Sequence, residues 1–189
     1  MRIKLPVHRR TATVSGHRPR RARLTAILVG LAVPALLGGT LLAGPASAST
    51  GFTTEITPNN TFGLLLDVSG ASTQPGAPVI DWWADSGANQ EWTFSTTGAY
   101  DTYEIINYNS GQCLTAYPAP GDQVYQWPCN DGPAQQWVTG LTAGSIYAYT
   151  IQNVNSGLYL DVSGNSSSPG TAIDTWPYNG QSNQEFGAI

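Results

Sequence analysis

Carboxylates, tryptophans and carboxamides are the side chains of this chain that could do chemistry, and they recur in register. Asp67 and Asp161 lie 94 residues apart, as do Trp82 and Trp176, and Gln90 and Gln184. Asp161 with Asp174 has the make-up of a glycosidase carboxylate pair, and the same two groups could attract a calcium ion. Against catalysis, Asp174 falls inside a repeated strand pattern, and no insertion beside it would build a cleft. The usual proton-transfer groups are missing as well. The histidines are His8 and His17, and all eight Lys and Arg lie between Arg2 and Arg23. A Ser-His-Asp or Cys-His nucleophile therefore cannot be assembled from residues 49–189, and a zinc site there would lack its common nitrogen ligand.

The same distribution polarises the chain. All twelve Asp and Glu lie beyond residue 48, so residues 49–189 carry a side-chain charge of −12 against −4 for the whole chain. With no cation to neutralise a phosphate, that composition argues against nucleic acid as a partner. Anionic membranes and polyanionic glycans are disfavoured for the same reason. Residues 1–48 read as a secretory signal peptide: an Arg-rich start, an apolar run from Leu24 to Ala43, then Ala46-Ser47-Ala48 as a small-x-small cleavage pattern. The alternative, a retained anchor, is opposed by Pro34 and Gly38-Gly39 within the run. Arg20-Arg21 hints at twin-arginine export, although Arg23 departs from that pattern. The expectation is a secreted, extracellular protein with no membrane contact after cleavage.

Positioning these side chains requires elements, and the chain repeats them three times. Asn89-Gln90-Glu91-Trp92, Ala134-Gln135-Gln136-Trp137 and Asn183-Gln184-Glu185-Phe186 each follow a tryptophan (Trp82, Trp127, Trp176) by ten residues. Upstream stand Leu66-Asp67-Val68, Leu114-Thr115-Ala116 and Leu160-Asp161-Val162. No helical period runs far. Each copy reads as two strands joined by a hairpin turn, a Gly/Ser/Pro-rich loop (residues 69–78, 117–123 and 163–172), a third strand ending on the tryptophan, and a fourth carrying Gln-x-Trp or Gln-x-Phe. A repeat this short cannot bury its own apolar face, so three must share one core. The expectation is one all-β domain over residues 49–189, with twelve strands, repeats near 52–98, 99–144 and 145–189, and threefold closure into a capped barrel. Cys113 and Cys129, the two cysteines, sit 16 residues apart in the second repeat and in an exported protein form a disulfide.

In combination, the three Gln-x-Trp/Phe units, the Leu-Asp-Val openings, the strands Val79–Trp82, Val124–Trp127 and Ile173–Trp176, and the cysteine pair resemble the ricin-B-type lectins, the (Gln-x-Trp)3 family. The resemblance covers residues 52–189 and implies a β-trefoil that binds carbohydrate without catalysis. A neutral sugar offers vicinal hydroxyls and a weakly apolar ring face. A site for it supplies a carboxylate acceptor, an amide and an aromatic plane. Carried over copy by copy, the resemblance places Asp161, Asp174, Trp176, Asn179 and Asn183 in the third site, Asp174 standing where the family often has Gln. It places Asp67, Trp82, Asp85 and Asn89 in the first, with Ile80 in place of that Gln. The second has Thr115 and Ala134 where the Asp and Asn should be, leaving Tyr125, Trp127 and Asn130. The third site ranks best, the first next, and the second as degenerate.

Other roles compete. The Gln-x-Trp residues suit a purely structural part, core aromatic plus turn-holding amide. Trp82, Trp127 and Trp176 are core or stacking platforms, and Asp67 and Asp161 could cap turns. The expectation is a monomer with no cofactor and no metal, and an oligo- or polysaccharide partner such as a galactose-, mannose- or xylan-type sugar. The alternative is a trefoil used as a protein-interaction or inhibitor module with vestigial sugar sites.

Overall fold

Short runs of alternating burial, bounded by turns rich in Gly, Asn and Ser, form twelve strands in the computed structural model, which describes residues 51–188. The expected signal segment lies outside the described residues. The first repeat contributes β1 (Gly51–Pro58), β2 (Leu64–Val68), β3 (Val79–Trp83) and β4 (Glu91–Thr96). The second contributes β5 (Thr102–Asn107), β6 (Cys113–Thr115), β7 (Tyr125–Trp127) and β8 (Gln136–Leu141). The third contributes β9 (Tyr149–Asn153), β10 (Tyr159–Val162), β11 (Ile173–Trp176) and β12 (Phe186–Ala188).

The pairings close a ring. β1 pairs with β4, β4 with β5, β5 with β8, β8 with β9, β9 with β12, and β12 returns to β1, all antiparallel. A six-stranded ring of first and fourth strands has no open edge. The second and third strands form three two-stranded ribbons: β2–β3, β6–β7 and β10–β11. These meet at one end of the ring through bridges between Pro78 and Tyr125, Gln123 and Asp174, and Ile80 and Ala172. Barrel plus threefold cap is the β-trefoil, as the repeat pattern implies.

One expectation is corrected. The first and second strands join through the expected turn in the second and third repeats, but that hairpin is one residue pair long, and the first repeat has none. β5 and β6 meet at Ile106 and Cys113, β9 and β10 at Gln152 and Tyr159, and β1 has no ladder with β2. The reason is competition for edges. β1 pairs with β4 and β12, β5 with β4 and β8, and β9 with β8 and β12, so each first strand has committed both edges to the barrel.

The core is built in triplets from the repeats: Ile56, Ile105 and Ile151; Leu66, Leu114 and Leu160; Val79, Val124 and Ile173; Trp92, Trp137 and Phe186. All are at most 2% exposed. Large aromatic rings from the fourth strands fill the centre, where they remove most apolar area from water. Their polar handles are satisfied: Trp92 Nε1 donates to the Leu66 carbonyl at 3.1 Å, and Trp137 Nε1 to that of Leu114 at 3.0 Å. Phe186 fills the third place without an N–H.

Cys113 and Cys129 are joined, with Cα atoms 5.1 Å apart. The bond ties β6 to the turn after β7, in the repeat with the shortest second and third strands. Closing a loop of this size stabilises by roughly 3 kcal/mol in the chain-entropy account. Replacing both cysteines by serine is expected to lower the unfolding free energy by about that amount in a urea titration. An unchanged midpoint would show the bond to be energetically idle.

Candidate functional site

The third repeat shows how the fold assembles a groove. Asp161 and Asp174 are directly opposite each other on β10 and β11. Asp161 is 4% and Asp174 5% exposed. The turn before β12 brings in the amides. Asn183 Nδ2 donates to Asp161 Oδ2 at 2.8 Å, and Asn179 Nδ2 reaches the same oxygen at 3.4 Å. That turn is itself held by Gln184, whose Nε2 donates to the Pro177 carbonyl at 3.0 Å and whose Oε1 accepts from the Asn179 N–H at 2.7 Å. Asp161, Asp174, Trp176, Asn179 and Asn183 together line a cavity of about 440 Å³, closed on one side by Gly121. Burial pushes Asp161 up to about 6. The charge of Asp174 acts in the same direction, and the Gln184 and Asn183 amides partly offset it. Burial raises Asp174 too, against the Ser163 hydroxyl.

The first repeat repeats the plan with a difference. Asp67 Oδ2 accepts from Asn89 Nδ2 at 2.8 Å and Gln90 Nε2 at 2.9 Å. Gln90 also donates to the Trp83 carbonyl and accepts from the Asp85 N–H. Asp67, Ile80, Trp82, Asp85 and Asn89 line a cavity of about 340 Å³. Ile80, not a carboxylate, stands opposite Asp67. Asp85 Oδ1 accepts the Gly87 N–H at 2.8 Å, so this residue also shapes the turn. Burial raises Asp67, with Gln90 opposing it.

The strand-end tryptophans are not core. Trp82, Trp127 and Trp176 are 42%, 45% and 47% exposed. Each lies against a glycine from another repeat. A Cβ on Gly121 would come within 3.1 Å of Trp176 Cζ3, one on Gly170 within 3.3 Å of Trp82 Cζ3, and one on Gly76 within 3.8 Å of Trp127 Cζ3. All three glycines have φ between 83° and 86°, the left-handed region. Their N–H groups donate across the seam, Gly121 to the Thr175 carbonyl, Gly170 to Asp81 and Gly76 to Gln126.

Comparison with known proteins agrees with this construction. A model of ricin-type β-trefoil lectin-like domains matches residues 88–176 and 133–188, more than half of the chain. The chain belongs to the ricin-type β-trefoil lectin family. Among solved structures it is similar to ThreeFoil, a designed threefold-symmetric protein, at 29% identity and a TM-score of 0.68, over 72% of this chain and 97% of that one. It is also similar to a ricin B-like lectin of Macrolepiota procera in complex with lactose, at 26% identity and a TM-score of 0.61, over 72% and 94%. A ribosome-inactivating protein of Polygonatum multiflorum is 32% identical over 102 residues, 52% of this chain; the match spans 15% of that relative's length.

Within this lectin-type trefoil the second repeat is rebuilt. Gly70 and Gly164 follow the second strands with φ 64°. Pro118 occupies the matching place, and its ring fixes φ near −65°, so the loop takes another path. Thr115 stands where the other repeats have Asp, and Gln135 Nε2 donates to its hydroxyl at 3.0 Å. Tyr117 packs on Tyr125 at 4.5 Å between ring centroids, and Tyr125 stands edge-on to Trp127 at 6.2 Å. Asn130 Oδ1 accepts the Gly132 N–H at 2.9 Å, shaping its turn. Aromatic surface thus replaces the carboxylate and amide.

Three residue sets escape a reading for chemistry. Asn107 and Asn153, at most 1% exposed, reach back from the next repeat to the carbonyls of Asn89 and Ala134 at 2.9 and 3.0 Å, fixing the turns that carry the site amides. Their signal in the sequence is Asn107-x-Asn-Ser-Gly and Asn153-x-Asn-Ser-Gly, a turn pattern that does not by itself point to the site. The seam glycines carried no signal beyond a glycine-rich loop. Asp81 is wholly buried, its Oδ1 accepting the Thr171 N–H at 2.8 Å and its Oδ2 without a partner.

Proposed function

We propose that the protein is a secreted, non-catalytic lectin that binds carbohydrate in the grooves of its third and first repeats. The carrying observation is the third groove. A buried carboxylate held in place by Asn183 lies beside a half-exposed tryptophan that a neighbouring repeat props from behind. Asn183 and Asn179 donate to Oδ2, which leaves Oδ1 to accept ligand hydroxyls. The indole offers a face for the C–H side of a sugar ring. Both carboxylates of the third groove stand on adjacent strands of one ribbon, facing the same way. That arrangement supports holding a ring over cleaving one between opposed groups. Galactose-, mannose- and xylan-type residues all carry the vicinal hydroxyls that such a groove takes. Membership in a lectin family supports the same reading, and grooves on one rigid body would add avidity on a polymer.

Losing a charge-assisted hydrogen bond costs about 1.5–3 kcal/mol. Asp161→Ala is therefore expected to weaken sugar binding at the third groove by roughly ten- to a hundredfold, measured by isothermal titration in an Asp67→Ala background that silences the first. A glycan array supplies the sugar. An array with no neutral glycan bound, or an Asp161→Ala variant as tight as its parent, would remove this function.

A further inference from the structure

The third groove differs from the first in one respect that bears on what it holds. Opposite Asp67 stands an isoleucine, and opposite Asp161 stands a second carboxylate. Like charges directly across an antiparallel pair repel, and buried carboxylates ordinarily require a counter-charge or a full set of donors. No counter-charge is present, and where Asp161 has its amide donors Asp174 has only part of a set, the Ser163 hydroxyl acting on it. Asp174 is 5% exposed, lines the cavity, and has its Oδ1 buried without a hydrogen-bond partner. No Lys, Arg or His occurs after Arg23, so among the described residues no side chain can bring a positive charge to the groove. Any compensating cation other than a proton has to come from outside the described residues.

We infer that the third groove selects a sugar bearing a protonated amine, a hexosamine residue with a free ammonium group, over its neutral or N-acetylated counterpart. This rests on the carbohydrate-binding reading of the same groove and refines it. An ammonium brings the charge the carboxylate pair lacks, and its three N–H donors match oxygens that Asn183 and Asn179 leave unfilled. The ring it is attached to retains the Trp176 face. A metal ion fits the same charge less well. Calcium takes six to eight oxygens, and among the described residues no three acidic, His or Cys side chains gather to hold one. The raised affinity of both carboxyls for protons is the same deficit seen without ligand. In the first groove Ile80 stands opposite Asp67 and the second carboxylate, Asp85, is exposed in the neighbouring turn, so no buried facing pair exists there and this groove serves as the internal control.

The test compares a glucosamine tetramer with the N-acetylglucosamine tetramer and lactose by isothermal titration, at about pH 7, above the value near 6 to which burial raises Asp161, and at low salt. The expected result is a preference of about tenfold or more for the free amine, shrinking as salt is added. Asp174→Asn keeps the side-chain shape and is expected to bring the preference close to one, read as the ratio of the two tetramer affinities so that any general loss of binding is divided out. Ile80→Asp is expected to create the preference in the first groove, which keeps the idea testable should Asp174→Asn fold poorly. Equal affinity for the two tetramers, a preference unchanged by Asp174→Asn, or calcium binding that displaces the glucosamine tetramer would each overturn the inference. If neutral sugars still bind in those cases, the lectin reading stands and this refinement alone fails. If no saccharide binds at all, both fall.

Discussion

Trp137→Ala is expected to lower the unfolding free energy by about 4 kcal/mol, a large part of what a domain of this size possesses. The ring is wholly buried among residues from all three repeats, and its indole N–H closes the Leu114 carbonyl at 3.0 Å. Alanine would leave a cavity at the barrel centre and an orphaned carbonyl together. Trp137→Phe is the informative partner. The third repeat already uses Phe186 at the corresponding place, so the cavity is small and the loss is chiefly one hydrogen bond, about 1 kcal/mol. Denaturant midpoints of the two variants decide the matter. An alanine variant within 1 kcal/mol of the parent would show that the centre collapses freely and that the triplets are not tightly packed.

Mild acid is expected to stabilise the protein. In the unfolded chain Asp161 titrates near 3.8, and burial raises it to about 6 in the fold. Between those values the folded protein holds a proton that the unfolded chain has released. Stability therefore rises as pH falls through 6 and is lost as pH rises through 6. Between pH 7.5 and 5 Asp161 alone contributes about 1 kcal/mol. Asp67, Asp81, Glu104 and Asp174 are all raised, chiefly by burial, and act in the same direction. Urea midpoints across that range should climb towards pH 5, and Asp161→Asn should flatten the slope. A midpoint that falls on acidification would mean that these carboxylates are better solvated than their burial implies.

The architecture was legible because its signal was repeated. Leucine, tryptophan and glutamine recur in register, and a threefold recurrence of core residues has few physical solutions. Strand partners were less legible. Spacing reveals neighbours in sequence, and so suggested hairpins of first with second strands. Ring closure instead pairs first strands with fourth. Which tryptophans are core could not be read either. Trp82 and Trp92 both end or occupy apolar strands, and what separates them is whether the strand belongs to the cap or to the barrel. In the site, the carboxylates and amides were legible through the resemblance to a family, and the structure brings Asp161, Asn179 and Asn183 within hydrogen-bonding distance of one another. The glycines that back the tryptophans were not, since their contacts cross between repeats. The effect of Pro118 became plain once Gly70 and Gly164 were seen at positive φ.

Those glycines have a consequence for how this molecule could have arisen or could be divided. Trp176 of the third groove leans on Gly121 of the second repeat, and Trp82 of the first on Gly170 of the third. A groove is therefore owned by no single repeat. A solitary ancestral copy could have formed complete pockets only by associating with two others. Joining the copies in one chain fixes each neighbour in place, and it makes each neighbour's loop answerable to a ligand it does not itself grip. The chain has two grooves without having two separable modules, and an insertion tolerated by the barrel at one loop would be felt in the groove that the loop backs.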